Sequence, residues 1–362
     1  MNKSDELQEV RYILLWGDPV QSPFNYFGEG HSVFEEKNCS WKNCYVTSDR
    51  NYLGDYTEFE AVIFNGPYIN QLRSMHNLPR RRSPHQKYVY VNIESAANYP
   101  VCTDYWDEYF NWTWTYRLDS DIVWRYYVIR NSTDHDIGPS SNIQWLTEQA
   151  MQPVDQEVRA KLRYKTKAAA WYASNCNTMS MREDLALQVQ KYMRIFQLDL
   201  DTFGECGKLH CPRSSMAYCL NKLEEDYYFY FAFENSLSED YVTEKVLHAL
   251  QHNTVPVVFG GADYRRFLPP GSYLDAGELG PRKLAERIND LMRRPDEYLE
   301  FFRWKKHYRM EATHARPDSD VYCRFCAALN EPRFRTSRTY PHFRRWWTPL
   351  TSCKEFVVVK IH

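Results

Sequence analysis

The stretch that decides the fold is FYFAFENSLSEDYVTEK, Phe229–Lys245. Its first part is almost wholly aromatic and suits a buried strand over Tyr227–Phe233. From Glu234 onward nearly every position is polar or charged until Val246, and Val242, Val246, Leu247 and Leu250 then mark one face of a helix expected from about Asp240 to His252. Val255-Pro-Val-Val-Phe259 restarts a strand, closed by Gly260-Gly261. The segment therefore reads strand, helix, strand, the unit of a parallel α/β sheet.

In that setting Glu234–Lys245 sits beyond the carboxyl end of a strand and over the first turn of a helix, where open α/β sheets bind ligands. Free N–H groups and the positive end of the helix dipole suit a diphosphate there. A lysine adds charge, a glutamate can accept two bonds from a ribose diol, and Asn235 can both donate and accept. These are the residues of a nucleotide-sugar pocket. Charged residues in a first helical turn are also commonplace on solvated surfaces, so the pattern alone does not assign them.

Working outward, Ala168–Ala173 reads as a strand opening onto Ser174-Asn-Cys, with a helix from about Met181 to Ile195. Lys283–Arg293 and Pro295–Arg303 read as later helices. Toward the amino terminus, Tyr12–Trp16, Ala61–Phe64 and Tyr88–Ile93 read as strands, the last ending at Glu94-Ser95, with helix-compatible stretches between them. Gln144–Lys165 looks like a polar helix bridging two halves, and Arg80–Arg82 like a solvated basic loop. The expected architecture is α/β, with two Rossmann-like domains, 1–160 and 161–332, facing an interdomain cleft. Residues 333–362 form a basic, aromatic tail to which the sequence assigns no role.

Composition narrows the class. The 362 residues are 43% hydrophobic and 25% charged, as in soluble globular proteins. A formal charge of −2 argues against a nucleic-acid partner. The 28 Tyr and 11 Trp serve large cores or stack on sugars. Ten cysteines include pairs spaced for zinc or for disulfides: Cys39/Cys44, Cys206/Cys211 and Cys323/Cys326. Asn2, Asn38, Asn111 and Asn131 each open an N-glycosylation tripeptide, which together with the cysteines favours a secretory compartment and disulfides. No run approaches the ~20 apolar residues of a membrane span, and Met1–Gly17 lacks the apolar block of a signal peptide, so the chain reads as a luminal piece trimmed of its anchor or as one without an anchor.

FYFAFENSLSEDYVTEKVLHALQHNTVPVVFGGADY resembles the signature of the α1,3-fucosyltransferases, glycosyltransferase family 10. Phe-Glu-Asn-Ser, Asp-Tyr-Val-Thr-Glu-Lys and Val-Pro-Val-Val stand in the family's order and spacing. RRRSPHQKYVYVNIES (Arg80–Ser95), FNWTWTYRLDSDI (Phe110–Ile122) and SNCNTMSMRE (Ser174–Glu183) agree with it. GGADYRRFLPPGSYLDA (Gly260–Ala276) is similar to the core-type enzymes of insects and plants, where Lewis-type relatives usually carry Gly-Pro-Ser or the like.

The resemblance implies a GT-B-like fold, GDP-β-L-fucose as donor, no tightly bound cofactor, and a single inverting displacement onto the 3-hydroxyl of GlcNAc. The implied acceptor is the innermost GlcNAc of N-glycans on glycoproteins. The alternatives are a Lewis-type enzyme acting on antennal GlcNAc and a catalytically idle glycan-binding relative. Glu94 matches the base, and Arg182 the phosphate-binding arginine. Asn235, Tyr241, Glu244 and Lys245 match the donor contacts, with Lys245 on the diphosphate and Glu244 on the ribose. Glu234 is expected as a buried hydrogen-bonding partner or a second charge near the sugar. Asp119-Ser-Asp121 has the form of a metal motif, yet the family's block is not its metal site; a structural or acceptor-side role is expected, with Mn²⁺ at most stimulating. By the same resemblance Cys323 and Cys326 bridge to Cys39 and Cys44 in an unknown order. The resemblance also implies residence in the Golgi lumen, as a type II membrane protein.

Overall fold

The structure, a computed structural model, describes residues 9–332, 338–348 and 353. Contacts divide the chain into two units, 1–125 with 313–362, and 126–312.

The first unit is built on a parallel sheet: β1 (Arg11–Trp16), β2 (Cys44–Thr47), β3 (Ala61–Asn65), β4 (Lys87–Asn92), β5 (Trp112–Thr115) and β6 (Ile122–Val123). Its order is β2-β1-β3-β4-β5-β6. Every residue of β3 and β4 is buried, as expected of interior strands covered on both faces. The helix Val321–Asn330 closes one face, with Phe325 stacked on Trp114 at 4.4 Å between centroids. Cys39–Cys323 and Cys44–Cys326 tie that helix to the chain around the start of β2. The sequence separation of 284 residues means that the first closure removes roughly 5 kcal/mol of unfolded-chain entropy on the chain-entropy account. The second closes nearly the same loop and adds little more of that kind.

The second unit begins with β7 (Tyr127–Asn131) and β8 (Asp136–Gly138) and continues with a parallel sheet of β9 (Lys167–Tyr172), β10 (Leu200–Phe203), β11 (Tyr227–Phe233), β12 (Val255–Phe259) and β13 (Leu274–Asp275). A last strand, β14 (Tyr308–Ala312), pairs antiparallel with β7 to give the three-stranded order β14-β7-β8. The parallel order is β10-β9-β11-β12-β13, in which β9 is flanked by the strands that follow it on either side. Strand order reverses at β9, and the crevice at such a switch point is where doubly wound sheets hold ligands. Both parallel sheets thus carry the Rossmann-like pattern.

Three expectations change. The boundary falls at 125/126, because β7 pairs with β14, and residues 313–332 belong to the first unit, because two disulfides hold their helix there. Gln144–Lys165 is not one helix: only Gln156–Leu162 is α-helical, and Pro153 stands between it and the residues before it. The helix expected from Asp240 starts at Glu244. Cys102–Cys353, Cys176–Cys206 and Cys211–Cys219 complete five disulfides, so no cysteine among the described residues is free for zinc.

Candidate active site

Strand β11 delivers Glu234 to the switch point, where its N–H still donates to the carbonyl of Phe259 at 2.8 Å. The Glu234 side chain is fully buried. Its Oε1 accepts the Thr243 N–H and the Thr243 hydroxyl, both at 2.9 Å, and its Oε2 accepts Lys245 Nζ at 2.9 Å. Lys245 Nζ also reaches Thr243 Oγ1 at 2.7 Å. Between these residues the chain turns at Asp240, which has φ of 61° and is held by Arg266 at 2.8 Å. Thr243 is extended and caps the helix Glu244–Gln251, so the capture of its N–H by Glu234 sets where that helix begins.

The charges are interdependent. Burial, with the nearby Glu244 carboxylate, pushes the Glu234 carboxyl up; Lys245 opposes the rise without cancelling it. Burial alone would lower the Lys245 ammonium, but the carboxylates of Glu234 and Glu244 outweigh it and hold the ammonium above the usual lysine value. Glu244, half-exposed, is depressed: burial works against ionisation and the Lys245 charge overcomes it. Lys245 is thus held between two carboxylates at the amino end of a helix.

The loop after β9 is stitched to the same place. Ser180 Oγ donates to the Glu234 carbonyl at 2.7 Å and Ser180 N to the Asn235 carbonyl at 3.3 Å. Arg182 opens the helix Arg182–Met193. It is buried, not an exposed helix-start arginine: Nη1 donates to the Phe233 carbonyl at 2.7 Å and Nη2 to the Asn175 carbonyl at 3.0 Å. Its guanidinium therefore fixes the end of β11 and places a permanent positive charge beneath the turn. Tyr241 is buried edge-on to Tyr126, with centroids 6.3 Å apart.

Arg182, Glu234, Asn235, Glu244 and Lys245 are thus brought together in the second unit. Asn235 Oδ1 and Ser236 Oγ are buried there without a hydrogen-bond partner among the described residues, as is the Tyr264 hydroxyl. Native proteins rarely leave such atoms unsatisfied. Sequence reasoning missed Thr243, Ser180 and Tyr264. Thr243 stood inside the quoted motif, but its role depends on a helix start that only the structure shows.

Glu94 belongs to the first unit. It lies two residues past β4, half-buried, with its N–H donating to Asn92 Oδ1 at 2.9 Å. In the same unit Asp121 is engaged by protein: its Oδ2 accepts the Thr113 N–H at 2.9 Å and the Tyr340 hydroxyl at 2.6 Å, and its Oδ1 accepts Arg338. Asp119 pairs with Arg117 at 2.9 Å and accepts Trp346 Nε1 at 2.9 Å. Both carboxylates of the motif are thus engaged by protein groups. Among the described residues no three of His, Cys, Asp and Glu gather into a metal-ligand group.

Of the glycosylation candidates, Asn38 is exposed, whereas Asn131 is half-buried and its Oδ1 accepts from Thr133 and His135. Asn111 is corrected: it is buried, its Oδ1 accepts the Tyr88 N–H at 2.8 Å, and its Nδ2 donates to the Arg338 carbonyl at 2.8 Å. The nitrogen that would carry a glycan is in use inside the fold. Asn2 lies outside the described residues.

Residues 8–127 match the family model for the N-terminal part of the fucosyltransferases, and residues 162–346 match that for the C-terminal part of glycosyltransferase family 10 (fucosyltransferase). The chain belongs to glycosyltransferase family 10. It is 34% identical to an alpha-(1,3)-fucosyltransferase C of Drosophila melanogaster, over 96% of this chain and 80% of that protein. It is 30% identical to glycoprotein 3-alpha-L-fucosyltransferase A of the same organism, over 94% of this chain and 60% of that one. A crystal structure of an α1,3-fucosyltransferase aligns with a TM-score of 0.53 at 14% identity, covering 93% of this chain and 95% of the other. That likeness bears on the fold, which is the α/β, GT-B-like fold of this fucosyltransferase class. Among the described residues of the family 10 chain, no helix is long and apolar enough to cross a membrane.

Proposed function

We propose that this fucosyltransferase moves L-fucose from GDP-β-L-fucose to the 3-hydroxyl of GlcNAc in one inverting displacement. The observation that carries the reading is the Lys245 ammonium, held 2.9 Å from Glu234 at the start of the helix Glu244–Gln251. Charge that grows on a departing diphosphate meets there a preorganised cation and the N–H groups of a first helical turn. Glu244, half-exposed and ionised, suits a ribose diol. Asn235 Oδ1 and Ser236 Oγ offer acceptors to donor hydroxyls. Arg182 contributes charge through the turn that it braces.

Glu94 is the base that takes the proton of the acceptor hydroxyl, as the resemblance to the family implies. Glu94→Gln is expected to keep GDP affinity while turnover falls about 10²–10⁴-fold. A fully active Glu94→Gln enzyme would remove the base assignment.

The acceptor favoured is the innermost GlcNAc of N-glycans, supported by the Gly260–Ala276 block and by a relative named as a glycoprotein 3-alpha-L-fucosyltransferase. Several relatives are instead named for galactosyl-N-acetylglucosaminide, which keeps antennal GlcNAc as the second reading. GDP release from GDP-fucose, measured with defined N-glycopeptides and with Lewis-type disaccharides, separates them. Release only with the disaccharides reverses the acceptor, and release with neither favours an idle glycan-binding protein. Five disulfides support residence in an oxidising lumen such as the Golgi.

A further inference from the structure

The tail, to which the sequence assigns no role, packs within the unit that carries Glu94. Tyr340 donates its N–H to the Phe110 carbonyl at 3.1 Å and accepts the Glu108 N–H at 2.7 Å. The short helix Phe343–Trp347 then buries Phe343 and Trp347 completely. After it, Thr348 Oγ1 accepts the Val101 N–H at 2.7 Å and donates to the Val101 carbonyl at 3.1 Å. Cys353 is bonded to the neighbouring Cys102.

Glu94 stands on the loop that runs from Asn92 to Cys102. Side chains that hold the loop before Val101 pack toward Trp347, and Trp347 itself supplies a further bond to it. Asn92, whose Oδ1 receives the Glu94 N–H, donates its Nδ2 to the Tyr90 hydroxyl at 3.0 Å, and the Tyr90 ring meets Trp347 edge-on at 5.1 Å. The Ala96 N–H donates to the Tyr116 hydroxyl at 2.8 Å, and Tyr116 lies 5.7 Å from Trp347. Trp347 Nε1 itself donates to the Tyr99 carbonyl at 2.9 Å.

We propose that Trp347 and Thr348 are positioning residues that set the placement of the Glu94 carboxylate, so that the carboxyl-terminal strap forms part of the catalytic machinery. The inference rests on the reading of Glu94 as the base. Misplacement of a catalytic group by about an ångström costs up to on the order of 10²-fold in rate.

The test is a mutant cycle on the full chain with GDP-fucose and a GlcNAc-terminated N-glycopeptide. Trp347→Phe keeps most of the packing and removes the bond to Tyr99; Thr348→Val removes both bonds to Val101 and leaves no cavity. Each is expected to lower kcat about 10- to 100-fold, with calorimetric GDP affinity unchanged. In a Glu94→Gln background neither should lower kcat further, because each acts through that carboxylate. Should Trp347→Phe fail to fold, Thr348→Val carries the same expectation. Wild-type kcat in both variants, or an equal loss in both backgrounds, overturns the role of the strap while the base stands. A fully active Glu94→Gln enzyme overturns the base and this inference with it.

Discussion

Lys245 Nζ lies 2.9 Å from Glu234 Oε2, and the carboxylate that holds it has no exposed surface. The pair joins a buried carboxylate to a part-buried ammonium at the amino end of a helix, where the dipole disfavours a cation. Glu234 and Glu244 offset that cost and keep the ammonium charged. Breaking one side of such a pair is far more damaging than replacing both.

Lys245→Met should therefore destabilise the protein as well as weaken donor binding, and the damage should depend on pH. Glu234 is raised above its reference value of 4.5 even with the lysine present. A carboxyl raised in the folded state binds its proton more tightly there than unfolded. Its contribution to stability is greatest below the unfolded value and is lost as pH rises through the folded one. Without Lys245 the rise is larger. The loss of stability relative to wild type is expected to reach about 3 kcal/mol near neutrality and to shrink as pH falls toward 4.5. Thermal unfolding of both proteins across that range checks this; a pH-independent difference would count against the buried pair.

Most of this unit was legible in the sequence because its strands are continuous apolar runs between turn residues. β11 was expected over the seven residues that it occupies, and the aromatic run needed no tertiary information. The start of the following helix was not legible: Asp240-Tyr-Val carries helical periodicity, and only a carboxylate nine residues before Thr243 interrupts it. Arg182 illustrates the same limit, since its position at a helix start says nothing of the two carbonyls that bury it. The bridging partners of Cys323 and Cys326 followed from family resemblance, whereas their order, and the partners of the other six cysteines, depend on where the loops close. The unit boundary was misplaced because β14 returns to pair with β7 from far along the chain.

The glycosylation tripeptide at Asn111 is a local pattern blind to burial. Its amide bridges the Tyr88 N–H and the Arg338 carbonyl, joining β4 to the tail. Peptide mapping of secreted protein should find Asn111 unmodified, whereas a glycan at exposed Asn38 meets no such obstacle. Recovery of folded, active enzyme with a glycan on Asn111 would contradict the buried placement.

Asp121 should behave as a tether and not as a metal ligand. It gathers the Thr113 N–H, the Tyr340 hydroxyl and Arg338 around a buried carboxylate. Bonds to a charged acceptor contribute about 1.5–3 kcal/mol each, so Asp121→Ala is expected to lower the unfolding temperature and expose the tail to limited proteolysis. Turnover of the wild-type enzyme should persist in EDTA. Complete loss in EDTA, restored by Mn²⁺ alone, would return the motif to the metal reading.

Gly261 packs against the turn that follows Asn235 and Ser236. Its backbone needs no left-handed conformation, so the requirement for glycine is one of space. A Cβ there would stand 2.7 Å from the Leu237 carbonyl carbon and 2.7 Å from the Ser238 nitrogen. Both are main-chain atoms of the turn that follows Asn235 and Ser236, and neither can rotate away. Gly261→Ala must therefore displace that turn, and overpacking of this kind costs about 1–3 kcal/mol. If the turn binds the nucleotide sugar, the cost appears as a KM for GDP-fucose raised roughly 5- to 150-fold, with a smaller effect on the acceptor KM. A donor KM unchanged in a folded Gly261→Ala enzyme would mean that the turn lies outside the donor site, and the polar junction after β11 would lose its assigned role.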